Sequence, residues 1–159
     1  MRTVKRLGLI LGLCLALSLY LIITEAKTAN REVNFRYCLD GDSAVFELND
    51  EEIEVRLLAI DCPEINDPWG EKARDLSRDI LSNAQDIELV ADKDSETLDR
   101  YGRHLFWVYA DGELLQLKLL ENGLARVDYL FGDYEDTPLL QQAEKKARDS
   151  RLGIWRYEE

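Results

Sequence analysis

Histidine is almost missing from this chain: His104 is the only one in 159 residues. That leaves histidine-based nucleases, serine hydrolases and zinc hydrolases short of parts, because the one imidazole, His104, reads as a strand residue in packing or at the surface. Glycine is sparse, at nine residues, and none are arranged as a phosphate-cradling loop. Cysteine is sparser still. Of the three, Cys14 lies inside an apolar run and reads as hydrophobic filler, while Cys38 and Cys62 leave two alternatives open, a disulfide or a pair of buried thiols. Internal repeats, low-complexity tracts and long blocks of like charge are absent too, so nothing suggests a solenoid or a disordered tail.

What is present begins with a sharp change of composition. Arg2, Lys5 and Arg6 precede an uncharged run from Leu7 to Ile23, the order of a basic and then an apolar region in an export signal. Residues 1–31 are therefore expected to be a signal peptide or an N-terminal membrane anchor built on a hydrophobic helix, and residues 32–159 a single domain. The leader holds five Lys or Arg against one acid, so of the formal charge of −12 the remaining chain carries −16. A body so acidic repels polyanions at long range.

Strand and helix patterns alternate through that body. Val33–Leu39, Ala44–Leu48 and Ile53–Ile60 read as strands joined at Asp40-Gly41-Asp42 and Asn49-Asp50. In the third, Ile53, Val55 and Leu57 share one face and Glu54, Arg56 and Leu58 the other, which sets Arg56 opposite the main apolar row. Asp67-Pro68 opens an amphipathic helix to about Asn83. Ile87–Ala91 and His104–Ala110 read as further strands, Glu113–Asn122 as a helix stopped by Gly123, and Thr137-Pro138 as the start of a last helix before Leu152-Gly153-Ile154-Trp155. The expected class is α+β, a five-stranded barrel with three helices.

Polar groups punctuate the strand ends. Asp40, Asp42, Asp61 and Glu64 form an all-oxygen set suited to a hard cation such as Ca2+ or Mg2+. Arg56 and Arg103 add planar donor forks that fit a phosphate, and Glu64 is placed to act on a water. Taken alone, Asp-Gly-Asp is more often a solvated hairpin turn.

The series D-G-D-S (40–43), R-L-L-A-I-D-C-P-E (56–64), Y-G-R (101–103), N-G-L-A-R-V (122–127) and G-I-W (153–155) resembles the thermonuclease family over roughly residues 33–156. The resemblance implies an OB-fold barrel and Ca2+-dependent hydrolysis of DNA and RNA. By position it implies Asp42, Asp61 and the main-chain carbonyl of Cys62 as Ca2+ ligands with Asp40 behind them, Arg56 and Arg103 on the phosphate, and Glu64 as general base. Tyr101 and Tyr129 fall where the family places aromatics around the nucleotide, with barrel-edge packing as the other reading. One departure stands out: the family's type member is basic with a lysine-rich loop after the Glu, whereas Ile65–Gly70 is short and contains Asp67. Weak, salt-sensitive binding to long duplex DNA and a preference for single-stranded DNA or RNA are expected. The chain is then an exported monomeric nuclease, secreted or held at the membrane by its N-terminal segment. The rival readings are a non-catalytic OB-fold module tethered to a membrane and binding nucleic acid or protein, and an anchored domain whose acidic surface meets a basic partner.

Overall fold

The computed structural model describes residues 33–134 and 136–157. The expected N-terminal helix and export segment lie outside these residues. Among those described, no helix is long and apolar enough to cross a membrane.

Three antiparallel strands, β1 (Val33–Cys38), β2 (Ser43–Leu48) and β3 (Glu51–Leu57), open the domain. The β2–β3 connection is Asn49-Asp50, both at positive φ of 53° and 65°, a two-residue hairpin turn of the kind Asn and Asp tolerate. β3 does not run on to residue 60. Ala59 adopts φ 62° and breaks the strand, so Ile60–Asp61 becomes a separate short strand, β4. The break lets residues 56–60 all be buried, and Arg56 is enclosed at 7% exposure instead of standing on an outer face. The simple alternation expected for this stretch fails because the chain turns into the core from both sides.

Helix α1 (Pro68–Asn83) starts as its sequence dictates: the side chain of Asp67 accepts a hydrogen bond from the backbone N–H of Trp69, with proline in the first turn. Strands β5 (Ile87–Val90) and β6 (His104–Ala110) follow. Glu113–Leu114, expected as helix, instead forms β7 by pairing back on Tyr109–Ala110, and helix α2 starts at Leu115 and runs to Glu121. Gln116, fully buried, ties α2 to β6 by donating to the Phe106 carbonyl at 3.0 Å and accepting from the Val108 N–H at 3.3 Å. A two-residue strand β8 (Arg126–Val127) pairs with β4. Helix α3 (Thr137–Asp149) is not capped by Thr137: its N-cap is Asp136, without a side-chain cap bond, and the Thr137 hydroxyl is buried without a partner among the described residues.

The main sheet has the order β1-β2-β3-β6-β5, with β7 on β6 and a parallel β3–β6 pair at its centre. The expected five-stranded OB-fold barrel with three helices is present as an OB-like mixed sheet curled into a half-barrel with three helices: β1 and β5 approach each other but, among the described residues, share no ladder. Phe46, Val55, Ile60, Val108, Leu119 and Leu140 fill the interior at essentially zero exposure, each burial contributing about 1.5–3 kcal/mol. The tail docks through a close backbone contact. The Ile154 N–H donates to the Gly123 carbonyl at 2.8 Å, and a Cβ on Gly153 would lie 2.0 Å from that oxygen.

Candidate active site

The loop between β1 and β2 is clamped from several directions before any charged chemistry is considered. Asp40 Oδ1 accepts from the Asp42 N–H at 3.0 Å, the Leu57 N–H donates to the Asp42 carbonyl at 2.8 Å, and Ser77 Oγ on α1 donates to the Gly41 carbonyl at 2.6 Å. Gly41 is required here. A Cβ on it would meet Ala73 Cβ at 2.5 Å and Cys62 Sγ at 2.8 Å, so α1 and the β4 exit press directly on the loop. Asp42 is left 4% exposed with its carboxylate aimed at the end of β3.

Arg56 meets it there. Its Nε lies 3.2 Å from Asp42 Oδ1, its Nη2 3.0 Å from Asp61 Oδ1, and its Nη1 donates to the Leu57 carbonyl at 2.9 Å. The Cys62 N–H donates to Asp42 Oδ2 at 2.5 Å. Five guanidinium N–H bonds are available and three are used in this way, which leaves two directions open. Burial pushes the Asp42 carboxyl up to about 7, the neighbouring Asp40 and Asp61 adding to the rise while Arg56 and the Cys62 N–H oppose it. Asp61 is raised as well, by burial first and then by Asp128, Glu64 and Asp40, against the pull of Arg56. One arginine does not balance the acids around it.

Among the described residues no three or more acid, imidazole or thiol side chains converge as a ready-made metal cluster. Asp42 and Asp61 supply two carboxylates, so a cation there would need main-chain and solvent oxygens as well. Within that limit the chemistry fits Ca2+, since every acidic donor is a hard oxygen.

Arg103 approaches from the loop between β5 and β6. Asp99 anchors it: Oδ2 takes Arg103 Nε at 2.7 Å, and Oδ1 takes the N–H groups of Tyr101 at 2.8 Å and Arg103 at 3.0 Å. Arg103 Nη1 reaches Ser43 Oγ at 3.3 Å. Tyr101 is 69% exposed, with the Arg100 and Arg103 guanidiniums 4.6 and 5.5 Å from its ring centre. Tyr129, at φ 54° and 47% exposure, stands 5.5 Å from the Arg56 guanidinium. Both tyrosines are exposed and line the cleft that holds the arginines. Glu64 is exposed, and the Asp67 N–H donates to its carbonyl at 2.8 Å.

Asp40, Asp42, Arg56, Asp61, Cys62, Glu64, Tyr101, Arg103 and Tyr129 all line one open cleft of about 880 Å³. Every residue singled out from the sequence is brought to it. Cys38 and Cys62 are both free thiols, and His104 lies stacked on Phe106 with ring centres 6.0 Å apart. Sequence reading missed Ser43, Asp99 and Gly70. Only Asp99 had a local signal, an Asp two residues before Tyr101 and four before Arg103, the spacing at which its side chain can accept from following N–H groups.

The family model described as staphylococcal nuclease homologue matches residues 54–157. The chain is 32% identical over 123 residues to the thermonuclease of Staphylococcus intermedius, covering 74% of this chain and 71% of that protein. To the thermonuclease of Staphylococcus hyicus it is 31% identical over the same shares. Endonuclease YncB of Bacillus subtilis is 34% identical over 126 residues, and there the match spans 74% of this chain and 58% of the relative. A match of that extent, running from inside β3 to the docked tail, establishes the chain as a member of the staphylococcal nuclease homologue family.

Proposed function

We propose that the chain is an exported, Ca2+-dependent nuclease that hydrolyses phosphodiester bonds in DNA and RNA, with residues 32–159 as the catalytic domain and residues 1–31 as a signal peptide or membrane anchor. The observation that carries this reading is Arg56, held 3.2 Å from Asp42 and 3.0 Å from Asp61 with donors to spare, at the floor of a cleft that Arg103 also lines. Relatives named as thermonucleases and as an endonuclease support the reaction class. The basic-then-apolar order of residues 2–23 supports export.

Asp42, Asp61 and the Cys62 carbonyl would hold Ca2+, with Asp40 behind them, and the ion would neutralise the scissile phosphate and favour attack on it. Arg56 directs its remaining N–H bonds at the phosphate oxygens, where charge grows as the attacking oxygen bonds to phosphorus. Arg103 supplies a second fork from the opposite loop. Glu64, exposed in the cleft and without a competing side-chain bond among the described residues, accepts the proton of the attacking water, and the P–O bond to the departing nucleotide breaks. Tyr101 and Tyr129 offer ring faces to unstacked bases. With −16 on the body, long duplex DNA is held weakly, and single strands or short oligonucleotides are preferred.

The test is direct: single-stranded DNA and RNA are incubated with the protein in Ca2+ or in chelator. Cleavage that appears with Ca2+ and stops with chelator is expected. No cleavage in either condition, or cleavage indifferent to chelator, would sink the proposal.

A further inference from the structure

Ser43 has no role in the reaction as derived so far, yet it sits at the junction of the two halves of the site. It is 2% exposed and lies directly opposite Arg56 in the β2–β3 ladder. Its hydroxyl accepts from Arg103 Nη1 at 3.3 Å and donates to Asp42 Oδ1 at 3.4 Å, the same oxygen that Arg56 Nε contacts at 3.2 Å. Arg103 is fixed at its other edge by Asp99 through Nε at 2.7 Å. A continuous chain of contacts thus runs from Asp99 through Arg103, Ser43 and Asp42 to Arg56 and Asp61. A hydroxyl can accept from a guanidinium and donate to a carboxylate at once.

We infer that Ser43 is a positioning residue, tying the Arg103 guanidinium to the Asp42 carboxylate so that the arginine and the acid hold a fixed separation, with Asp99 as the anchor at the far edge. This deepens the nuclease reading and rests on it. Arg103 crosses from a loop some sixty residues away in sequence, separation |i−j| 60 from Ser43, and a loop arginine held by Asp99 alone can swing about that single edge. With Nη1 fixed as well, the guanidinium plane is set and its remaining donors point one way. The cost of losing the tie falls on alignment of the phosphate in the transition state rather than on folding.

The experiment compares four proteins on a single-stranded oligonucleotide with Ca2+: wild type, Ser43→Ala, Arg103→Lys and the double variant. Ser43→Ala is expected to lower kcat about 10-fold with KM little changed, and to cause no further loss in the Arg103→Lys background, because lysine cannot hold the fork that Ser43 aligns. Ser43→Thr, which keeps the hydroxyl, restores most of the rate. Asp99→Asn, at a side chain 16% exposed and with its folding checked by denaturant unfolding, shows the same dependence on Arg103. An equal loss in both backgrounds, or a Ser43→Thr rate no better than Ser43→Ala, overturns the inference. Should Ser43→Ala fail to unfold cooperatively, Ser43→Cys, whose thiol is a much weaker donor and acceptor, takes its place in both backgrounds: dependence on Arg103 upholds the tie and its absence overturns it. A wild type that cleaves nothing defeats the nuclease reading instead. The tie is then read from the Arg103 guanidinium itself by NMR: its Nη1 protons are expected to be ordered and slow to exchange in wild type and Ser43→Thr but not in Ser43→Ala, and identical guanidinium spectra for wild type and Ser43→Ala overturn the tie.

Discussion

Gly70 and the main chain of Glu64 are in such close contact that a Cβ on the glycine would lie 2.0 Å from the Glu64 carbonyl oxygen and 2.6 Å from its carbonyl carbon. Helix α1 therefore leans its first turn directly on the residue assigned as general base. Neither partner in this contact is a flexible side chain that can move aside. Gly70→Ala must shift either the helix or the β4 exit, and is expected to lower stability by about 1–3 kcal/mol while cutting turnover by displacing Glu64. Denaturant unfolding and steady-state rates check both halves; a variant of unchanged stability and rate would show that the contact is easily relieved.

Arg56 is buried against two acids, its side chain 8% exposed beside an Asp42 side chain at 6%. Removing it leaves a buried carboxylate without its counter-charge. Arg56→Ala is therefore expected to destabilise the protein by about 3–5 kcal/mol and to reduce kcat by roughly 10²–10³-fold. Added Ca2+ should recover part of the stability, since a divalent cation can neutralise the acids that the arginine no longer serves. Thermal unfolding of the variant with and without Ca2+ measures this, and a Ca2+-independent midpoint would contradict it.

The acids around Arg56 also set a pH dependence with a definite sign. Asp42 has a folded value of about 7 against about 3.9 in an unfolded chain, so ionising it costs more in the folded protein. Without Ca2+, its contribution makes stability fall as pH rises through that window. Ca2+ bound at the proposed site is expected to remove the fall by favouring the charged form, with an affinity that drops as the pH goes below the folded value. Asp99 runs the other way. Burial raises it, but hydrogen bonds from the Arg103 N–H and guanidinium and from the Tyr101 N–H outweigh burial and leave it below the ordinary carboxylate range. Its stabilising contribution is present above the unfolded value and is lost as pH falls through the lower folded one. Unfolding midpoints between about pH 4 and about pH 8 in chelator and in Ca2+ should diverge toward the alkaline end; parallel curves would contradict the assignment of Asp42.

Both thiols of the domain should be inert. Burial pushes Cys38 up to about 12, with Asp40 adding to it against Arg78 and Arg74, and burial followed by Asp42 drives Cys62 well above the ordinary thiol range. Since the thiolate is the reacting species, labelling at mildly alkaline pH is expected to be at least about 100-fold slower in the native protein than in denaturant. Peptide mapping after alkylation reads the two sites separately. Rapid native labelling at Cys62 would mean that the β4 exit opens far more often than its packing suggests.

The parts of this fold that were legible in the sequence are those fixed by neighbours along the chain. Asp67-Pro68 started α1 where expected, Asn49-Asp50 made the hairpin, and His104–Ala110 formed the strand that Phe106, Trp107, Val108 and Tyr109 pointed to. The break at Ala59, the pairing of Glu113–Leu114 with β6 and the idle hydroxyl of Thr137 were not legible, because each is decided by what lies across the core. The site followed the same division. Charged residues at strand ends announced themselves, while Ser43 and Gly70 looked like ordinary strand and helix residues. Their importance comes from contacts with Arg103, 60 residues away in the chain, and with a carbonyl oxygen that no composition pattern displays.

The central claim is that Asp42 belongs to a Ca2+ site that drives phosphodiester cleavage. The most direct measurement is the initial rate of single-stranded oligonucleotide cleavage across a Ca2+ titration, for wild type and for Asp42→Asn. The account predicts a saturable rise in rate for wild type and, for the variant, a curve displaced to much higher Ca2+ with its plateau lowered by about 10²-fold or more. A variant whose curve overlays that of wild type would contradict it.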